Sequence, residues 1–515
     1  MSPGVTAGSL GIDIGTQSTK AVLAAADGTV LAECAVPHGL EMPAPGFAEQ
    51  DAERVWWGDV VSLCRQITAL ADGTESGPAE IGAVTVSGLG PCVLPCDEQV
   101  RPLRPGILYG IDTRATAEIA GINESLGEAE ILAQAGSVLS SQAAGPKIAW
   151  LRRHEPDIWA RTQFVHSAHT FVTHKLTGRY LFDHHTASQY DPMYDMTTAG
   201  WHTTWARQLA GRAELPELVW PGAIAGQVTA AAASQTGLAP GTPVVTGTID
   251  AWAEAYSVNV AAPGDLMLMY GSTMFLVLCA SQPRFHQGVW TTQGMVPGIE
   301  TYAAGMATSG LLIRWLCDIT RLSFDEALAA AAAAPAGSDG VLCLPYFAGE
   351  RSPVFDPSAR GTFAGLTLRH GQGHLIRAGY EAVGYGIRHN LDVLAGLGVV
   401  PRRAVAVGGG TTGDLWTRIV SDVTGLTQEV PAVTTGAAYG DALLGAIAVG
   451  LVPRGTVWNK ACRLIEPDPA VATLYDDGYG RYRQLADQVE PVSHALASVQ
   501  QAGVQQAGIQ QAGVP

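Results

Sequence analysis

The stretch Leu10-Gly-Ile-Asp-Ile-Gly-Thr-Gln-Ser-Thr-Lys20 decides how the rest of this sequence is interpreted. Its apolar residues lead into Gly15 and a cluster of hydroxyl side chains, and a second extended segment begins at Ala21. Glycine lets the backbone approach a ligand closely, and hydroxyls with backbone N–H groups can bind phosphoryl oxygens. The pattern predicts a strand, a phosphate-binding turn and a second strand. This differs from a P-loop, because a P-loop opens a helix.

Side chains in and beside this turn are the first candidates for ligand contact. Asp13 stands just before the turn, where a carboxylate could hold a hydrated Mg²⁺ ion. The candidates for phosphate contact are Thr16, Gln17, Ser18 and Lys20. A hairpin with a polar turn and no ligand is the alternative, because a short glycine-rich motif is a weak signal by itself.

The bulk composition limits the possible classes of function. A chain of 515 residues is long enough for two or three domains. Its net charge of −17 argues against nucleic acids and anionic membranes as main partners. Eight cysteines in so long a chain do not form a disulfide framework, so we expect reduced thiols. The first residues do not resemble a signal peptide and no apolar run reaches membrane length, so the sequence predicts a cytoplasmic protein.

Strands and helices alternate along the chain, which favours an α/β fold. The second half repeats the pattern of the first, because the strand-like run Asp265–Tyr270 ends at Gly271 and is followed by Ser272 and Thr273. These three residues after the run are further candidates for phosphate contact. Two such turns in two comparable halves suggest a duplicated fold that closes on one shared nucleotide.

A turn-rich break near Ala261-Ala-Pro-Gly264 separates the halves, which gives domains at residues 8–260 and 261–485. Residues 486–515 form a tail, in which Gln-Gln-Ala-Gly recurs every five residues over 499–513. A five-residue period fits neither an α-helix nor a solenoid unit. We interpret the tail as a frayed or weakly helical appendage without a catalytic role, and a partner-binding tail is the alternative.

Asp250 is the main candidate for a catalytic base. Thr242–Ile249 predicts a strand, and Ala251–Tyr256 predicts the helix that follows it. The dipole and the unpaired N–H groups at the beginning of a helix favour an ionised carboxylate. An ionised aspartate can orient a hydroxyl and accept its proton during phosphoryl transfer. An ordinary helix-capping aspartate is the alternative.

Three consecutive glycines, Gly408-Gly-Gly410, follow a buried strand that begins near Val405. Their backbone offers a flat surface on which an adenine or a ribose could lie. Gly409 and Gly410 are therefore candidates for nucleotide contact. A flexible connection to the helix that starts near Asp414 is the alternative.

Polar segments in the first half could line a sugar site. The strand Val84–Gly90 ends at glycines, and Asp112 lies two residues before Arg114. Glu49-Gln-Asp51 precedes the aromatic pair Trp56-Trp57. Planar polar groups and aromatic faces suit a sugar, although paired tryptophans are also typical of a core.

In this order, these segments resemble the FGGY family of carbohydrate kinases, which belongs to the superfamily of actin-like ATPases. The resemblance extends from about Gly11 to about Gly450. Each motif is weak alone, whereas seven motifs in the family's order are specific. The motifs are Gly11-Ile-Asp-Ile-Gly-Thr16, Glu49-Gln-Asp51, Asp112-Thr-Arg114, Pro146-Lys-Ile-Ala-Trp-Leu151, Gly247-Thr-Ile-Asp250, Gly349-Glu-Arg-Ser-Pro353 and Gly408-Gly-Gly410.

The resemblance implies an α/β fold of two actin-like (ribonuclease H-like) domains with a cleft between them. MgATP would lie mainly against the second domain and the sugar mainly against the first. By matching position, Asp13 resembles the metal-associated aspartate and Asp250 the general base. The residues implied to contact the nucleotide are Thr16, Gly271, Ser272 and Thr273 at the phosphates, and Gly409 and Gly410 at the adenosine.

Within the family, the pattern is most similar to that of the xylulokinases. Those kinases usually carry Gly-Gln-Met-His-Gly after the third strand, with the histidine near the sugar. Here the same place reads Gly88-Leu-Gly-Pro-Cys92, which lacks the glutamine and the histidine. The expected substrate contacts are Leu89, Gly90, Asp112, His169 and Asp250, in which His169 or Asp112 would replace the missing groups.

The sequence therefore predicts an ATP-dependent kinase that phosphorylates a primary hydroxyl of a ketose, with D-xylulose or a related pentulose first. Other ketoses such as ribulose, and short polyols of the erythritol type, are alternatives. The alternative from another class is a non-catalytic sugar sensor or binding protein switched by a nucleotide, and a base at Asp250 argues against it. A homodimer is consistent with the resemblance, although no residue establishes it.

Overall fold

The computed structural model describes residues 6–71, 79–282, 284–433 and 436–512. The chain divides into two compact units that interleave along the sequence. The first unit contains residues 1–263, 279–301 and 435–460, and the second contains 264–278, 302–434 and 461–515. The domain boundaries expected after residues 260 and 485 remain predictions.

The strands are β1 (Thr6–Ile14), β2 (Ser18–Ala25), β3 (Val30–Pro37), β4 (Glu49–Gln50), β5 (Ala79–Gly88), β6 (Leu94–Cys96), β7 (Gly106–Ile107), β8 (Phe164–His166), β9 (Leu181–Asp183), β10 (Tyr194–Asp195), β11 (Gly200–Trp201), β12 (Glu217–Val219), β13 (Ile224–Gln227), β14 (Pro243–Ile249), β15 (Asp265–Tyr270), β16 (Met274–Ala280), β17 (Trp290–Gln293), β18 (Glu300–Met306), β19 (Leu342–Leu344), β20 (Thr362–Ala364), β21 (Arg403–Val407), β22 (Gln428–Pro431) and β23 (Ala461–Ile465).

The helices are α1 (Gly58–Ala71), α2 (Thr116–Leu126), α3 (Glu128–Ala135), α4 (Ala144–His154), α5 (Pro156–Arg161), α6 (Ala168–Thr177), α7 (His184–Ala187), α8 (Trp205–Ala210), α9 (Ala230–Thr236), α10 (Asp250–Ser257), α11 (Gly310–Thr320), α12 (Phe324–Ala333), α13 (Gln372–Gly396), α14 (Asp414–Thr424), α15 (Ala437–Ala448) and α16 (Ala472–Ala512). Short helical segments of other types are Ala52–Trp57, which is π-helical, and the 3₁₀ turns Ala336–Gly340, Gly409–Thr411 and Pro469–Val471.

The main sheet of the first unit has the order β13-β14-β5-β1-β2-β3. β1 runs parallel to β5 and antiparallel to β2, and β5 runs parallel to β14. Leu10, Ile12 and Ile14 on one face of β1 and Ser9 on the other are fully buried, as expected for a strand covered on both faces. Gly88 pairs with Ile14 on one side and with Ile249 on the other. The residues that follow these three strands therefore come together at one edge of the sheet.

The strand, turn and strand predicted at the beginning of the chain are confirmed. β1 ends at Ile14, the amide of Gly15 donates to the carbonyl of Ser18 at 3.0 Å, and β2 begins at Ser18. Helix α15 packs closely on β1, because a β-carbon at Gly11 would overlap the carbonyl oxygen of Ala438. Glycine at position 11 thus permits the contact between this helix and the sheet.

In the second unit, β18, β16, β15, β21, β22 and β23 are neighbours in that order. β15 is antiparallel to β16 and parallel to β21, which matches the relation of β1 to β2 and β5. The turn between β15 and β16 holds Gly271, Ser272 and Thr273, so the second strand, turn and strand are also confirmed. Both units combine a mixed sheet with helices, which confirms the predicted α/β class.

Helix α16 includes Pro491 and continues to Ala512, so the backbone of the repeated tail is helical up to that residue. Residues 513–515 lie outside the described part of the chain. Within the described residues, no helix combines the length and the apolar character needed to cross a membrane. All eight cysteines are free thiols, as the sequence predicted.

Candidate active site

Three carboxyl side chains come together where β1 and β14 end. Asp13 is the penultimate residue of β1, Asp250 is the first residue of α10, and Glu254 lies one helical turn further along. Burial, followed by the charge of Asp250 and a smaller effect of Glu254, raises the pKa of Asp13 to about 8. Burial and the charge of Asp250 raise the pKa of Glu254 to about 7. The charge of Asp250 acts on both Asp13 and Glu254, which places the three groups in one electrostatic cluster.

Lys20 supplies a positive charge beside this carboxyl cluster. It pairs with Asp13 across the register of β1 and β2, and its side chain is exposed. Its charge opposes the burial that raises the pKa of Asp13 and Glu254. Glu254 was not among the candidates predicted from the sequence, although residues i and i+4 of a helix share one face, and this spacing from Asp250 could have identified it.

Asp250 lies at the predicted place, where its Oδ1 accepts a hydrogen bond from the amide of Ala251 at 2.7 Å. Burial raises the pKa of Asp250, whereas this hydrogen bond and the charge of His169 oppose the rise. The sequence predicted that the helix terminus would favour ionisation, but burial has the larger effect on the pKa. A raised pKa strengthens a carboxylate as a proton acceptor, which suits a general base.

The turn between β1 and β2 is fixed by two side chains that were not predicted as its partners from the sequence. Gln50 Nε2 donates to the carbonyl of Thr16 at 3.0 Å, and the Tyr109 hydroxyl lies 3.0 Å from Thr16 Oγ1. Of the other predicted phosphate contacts, Gln17 is exposed and Ser18 is half-buried. Gln50 and Tyr109 therefore fix the turn through Thr16, while the side chains of Gln17 and Ser18 remain partly accessible to solvent.

A cavity of about 280 Å³ in the second unit brings Gly271 and Ser272 together with Gly409 and Gly410. The amide of Gly310 donates to the carbonyl of Gly271 at 3.0 Å, which fixes the beginning of α11 against the β15–β16 turn. Thr273 belongs to the same turn. The other lining residues, which the sequence analysis did not associate with this cavity, are Tyr270, Leu311, Arg314, Phe324, Leu328, Tyr380, Thr412, Gly413 and Trp416.

The glycine floor of this cavity suits a flat ligand. A β-carbon at Gly409 would meet nothing within 4 Å, and one at Gly410 would lie 2.7 Å from the ring of Trp416. The buried indole Nε1 of Trp416 has no hydrogen-bond partner in the described part of the chain. Apolar walls, a glycine floor and a hydroxyl-bearing turn together fit the adenosine and the phosphates of ATP.

Leu89 and Gly90, which the sequence predicts as substrate contacts, lie beside the residue that precedes Asp250. The amide of Leu89 donates to the carbonyl of Ile14 at 2.8 Å, and the Leu89 side chain is buried. A β-carbon at Gly90 would lie 3.0 Å from Ile249 Cγ1, and Asp250 is the next residue of the chain. The segment after β5 therefore packs beside the candidate base.

His169 is buried near the same place and is oriented by its Nε2 edge. That nitrogen lies 3.1 Å from Asp183 Oδ2 and 3.1 Å from Thr186 Oγ1. Burial opposes the ionisation of Asp183, but the hydrogen bond and the charge of His169 hold the pKa of that carboxyl below its ordinary value. An ionised Asp183 requires a proton on Nε2. Among the described residues the buried Nδ1 of His169 has no partner, which leaves it for a ligand.

The side chain of Asp112 contacts Ala48 and Arg114 rather than the other substrate candidates. Its Oδ2 accepts from the amide of Ala48 at 2.7 Å, and both oxygens accept from the guanidinium of Arg114. Arg114 also binds Glu49, and the Asp112 side chain is fully buried. This differs from the sugar contact expected from the sequence, because both carboxylate oxygens are engaged within the protein.

The comparisons with known proteins agree with this architecture. Residues 9–256 match the N-terminal domain of the FGGY family of carbohydrate kinases, and residues 266–449 match its C-terminal domain. A xylulose kinase of Escherichia coli (strain K12) is 29% identical over 94% of this chain and 99% of its own. A gluconokinase of Bacillus subtilis (strain 168) is 28% identical over 86% of this chain and 88% of its own.

Among solved structures, the xylulose kinase of Rhodospirillum rubrum has a TM-score of 0.87 to this chain at 31% identity. It covers 95% of this chain and 100% of its own length. The two family domains together cover most of the sequence, and each matched range includes one of the strand–turn–strand elements described above. The chain therefore belongs to the FGGY family of carbohydrate kinases.

Proposed function

We propose that this enzyme transfers the γ-phosphoryl group of ATP to a primary hydroxyl of a ketose, and that the ketose is D-xylulose or a related pentulose. The family makes the protein an ATP-dependent sugar kinase. The observation that carries the reaction is the position of Asp250, which starts a helix beside Asp13 and Glu254. Relatives named xylulose kinase support the pentulose, whereas relatives named gluconokinase make a sugar acid the main competitor.

Asp250 orients the acceptor hydroxyl and accepts its proton as the phosphoryl group is transferred. Phosphoryl transfer relies mainly on positioning and on charge stabilisation, so a carboxylate aimed at the hydroxyl is sufficient as the base. The buried setting that raises the pKa of Asp250 supports this role. The turn residues Thr16, Ser272 and Thr273 would contact the phosphates through their hydroxyls and backbone amides.

Asp13 and Glu254 would hold Mg²⁺. Burial and neighbouring negative charges raise the pKa of both groups, so the cluster favours an added positive charge. In the described residues no three His, Cys, Asp or Glu side chains are arranged to hold a metal ion by themselves. Two protein carboxylates suffice for Mg²⁺, because this ion usually keeps several waters and binds through one or two carboxylates together with substrate phosphates. When bound, Mg²⁺ would neutralise charge on the transferring phosphoryl group.

The compartment and the assembly are further parts of the proposal. We assign the enzyme to the cytoplasm, because ATP is supplied there and free thiols persist in reducing compartments. The eight free cysteines support this assignment. We also retain the homodimer suggested by the family resemblance, and sedimentation of the purified protein would test it.

The Gly88–Cys92 segment supports two alternative functions. Ribulose and short polyols remain candidates because the Gly88–Cys92 segment lacks the glutamine and histidine of the xylulokinase pattern. The same departure is the observation that favours a sugar sensor without catalysis. A sensor would bind sugar and nucleotide but would not need a base next to the acceptor.

The test is ADP formation from MgATP across a panel of ketoses, alditols and sugar acids. We expect one pentulose to stimulate ADP release strongly in the wild type. Asp250→Ala should lower the turnover by at least about a hundredfold, because general-base catalysis contributes roughly that factor. Asp250→Asn keeps the shape of the side chain and should be equally impaired. Sugar-dependent turnover that survives both substitutions would contradict the assigned role of Asp250.

A further inference from the structure

A hydrogen-bonded chain of three polar side chains lies beside the segment that follows β5. Gln142 Nε2 donates to Gln189 Oε1 at 3.1 Å, and Gln189 Nε2 lies 2.9 Å from His185 Nε2. Gln189 and His185 are buried, whereas Gln142 is partly exposed. All three side chains belong to the first unit, and none of them was predicted as a site residue from the sequence.

Backbone groups at both ends of the Gln142–Gln189–His185 network fix the direction of each of its hydrogen bonds. His185 Nδ1 lies 2.7 Å from the carbonyl of Gln293, which can only accept, so Nδ1 carries the proton. His185 Nε2 then accepts from the amide of Gln189. Burial lowers the pKa of His185 to about 4, which keeps the ring neutral at neutral pH. At the other end, the amide of Gly110 donates to Gln142 Oε1 at 3.2 Å.

Gln142 forms hydrogen bonds with the backbone of two segments, one near the candidate base and one near the turn between β1 and β2. Its Nε2 also donates to the carbonyl of Gly90 at 3.3 Å, and Gly90 packs on the residue that precedes Asp250. Gly110 follows Tyr109, whose hydroxyl lies 3.0 Å from Thr16 Oγ1. The Gln142 amide is therefore hydrogen-bonded to the segment that packs beside the residue preceding Asp250.

The hydrogen bonds that Gln142 already makes determine what it can offer to a ligand. Its two Nε2 protons are used by the carbonyl of Gly90 and by Gln189 Oε1. In the described part of the chain its Oε1 accepts one bond, from Gly110, and an amide oxygen has two lone pairs. Gln142 thus presents an acceptor, which attracts a hydroxyl group and repels a carboxylate. Flipping the Gln142 amide by 180° would break its hydrogen bonds with Gly110, Gly90 and Gln189.

We propose that Gln142 is a specificity-determining residue, whose Oε1 accepts a hydrogen bond from a hydroxyl of a neutral ketose or polyol. A sugar acid that brings its carboxylate to this position is disfavoured. Gln189 and His185 are positioning residues, because they act by holding the Gln142 amide in this orientation. The contact supplies the polar group that the Gly88–Cys92 segment lacks. This inference rests on the proposed function, since it assumes that the acceptor binds next to Asp250.

The test compares Gln142→Met and Gln189→Met with the wild type, and Gln208→Met at an exposed position is the matched control. Initial rates with D-xylulose and D-gluconate give KM and kcat for each protein. We expect Gln142→Met to raise the KM for D-xylulose roughly tenfold, the value of about one hydrogen bond, with little change in kcat. The preference for D-xylulose over D-gluconate should fall by the same factor. Gln189→Met should act in the same direction, and Gln208→Met should change nothing.

Calorimetric binding of D-xylulose without nucleotide separates this inference from the proposed function. Binding that weakens in Gln142→Met supports the inference even if no sugar stimulates ADP release, and only the kinase proposal then fails. Wild-type turnover with an unchanged KM in Gln142→Met overturns the inference and leaves the kinase proposal intact. A wild type that prefers D-gluconate, or that binds no neutral sugar of the panel, also overturns it. Thermal unfolding checks that each variant folds, and Gln142→Asn replaces Gln142→Met if that variant does not.

Discussion

Glu254 shows how much of a site depends on charges that only the fold brings together. Burial and the neighbouring charge of Asp250 raise the pKa of Glu254 to about 7, and Glu254 in turn contributes to the raised pKa of Asp13. A group with this effect on Asp13, the aspartate proposed to hold Mg²⁺, is expected to influence Mg²⁺ binding more than sugar binding. Its proposed role can therefore be separated from that of Asp250.

Replacing Glu254 with glutamine should raise the Mg²⁺ concentration that gives half-maximal activity by roughly tenfold or more, as is usual when a supporting metal contact is lost. The physical reason is the loss of one carboxylate beside Asp13. Activity measured against Mg²⁺ at saturating sugar and ATP gives the value, and Glu124→Gln on the exposed side of α2 is the control. An unchanged Mg²⁺ requirement, accompanied only by a lower melting temperature, would assign Glu254 a structural role.

At the same scale, the sequence singled out residues at the ends of strands and did not predict contacts between distant segments. Asp13 and Asp250 each stand at the end of an apolar run, which is a local pattern. Asp112 was expected to contact sugar because its motif is polar and lies in the right order. In the structure Arg114 and the amide of Ala48 occupy its oxygens, and no local pattern encodes such a contact between separate segments.

The two strand–turn–strand elements were predictable, because apolar runs ending in glycine and hydroxyl residues are short-range signals. Each element determines where a ligand can approach, since its turn lies at the edge of a sheet. The glycines at Gly408–Gly410 were also found from the sequence, but the aromatic walls of their cavity were not. Phe324 and Tyr380 reach that cavity from helices α12 and α13, whose amphipathic patterns indicate only that these helices pack.

The floor of this cavity gives a prediction for a single element, the 3₁₀ turn Gly409–Thr411. Gly409→Ala places a methyl group where nothing lies within 4 Å, so the protein should fold normally while the cavity loses space for the nucleotide. We expect the KM for ATP to rise roughly tenfold, equivalent to about 1.4 kcal/mol of binding energy. Gly396→Ala at the end of α13 also meets nothing within 4 Å and is the matched control. An unaltered KM for ATP in Gly409→Ala would mean that the adenosine does not lie on this turn.

For the whole molecule, buried carboxyl groups with raised pKa values and buried histidines with lowered pKa values shape the dependence of stability on pH. Burial raises the pKa of Asp13 and of Glu350 to about 8, so these groups favour the folded state at low pH and lose that contribution as the pH rises. Burial lowers the pKa of His174 and of His185 to about 4. Such histidines stabilise the fold above their ordinary pKa and lose that contribution as the pH falls. The two effects oppose each other between pH 4 and pH 6.5. Separating them therefore requires variants, in addition to the unfolding free energy of the wild type as a function of pH.

A substitution at His174 isolates the histidine effect. His174 is buried beside Tyr180, and its Nδ1 lies 3.3 Å from His166 Nε2. Because the unfolded chain binds the proton more readily, the wild type should lose roughly 2 to 3 kcal/mol of unfolding free energy relative to His174→Gln between pH 7.5 and pH 4.5. Urea titrations of both proteins at the two pH values measure this difference, with His154→Gln at an exposed position as the control. If the difference between wild type and His174→Gln is the same at both pH values, His174 is not held in its neutral form.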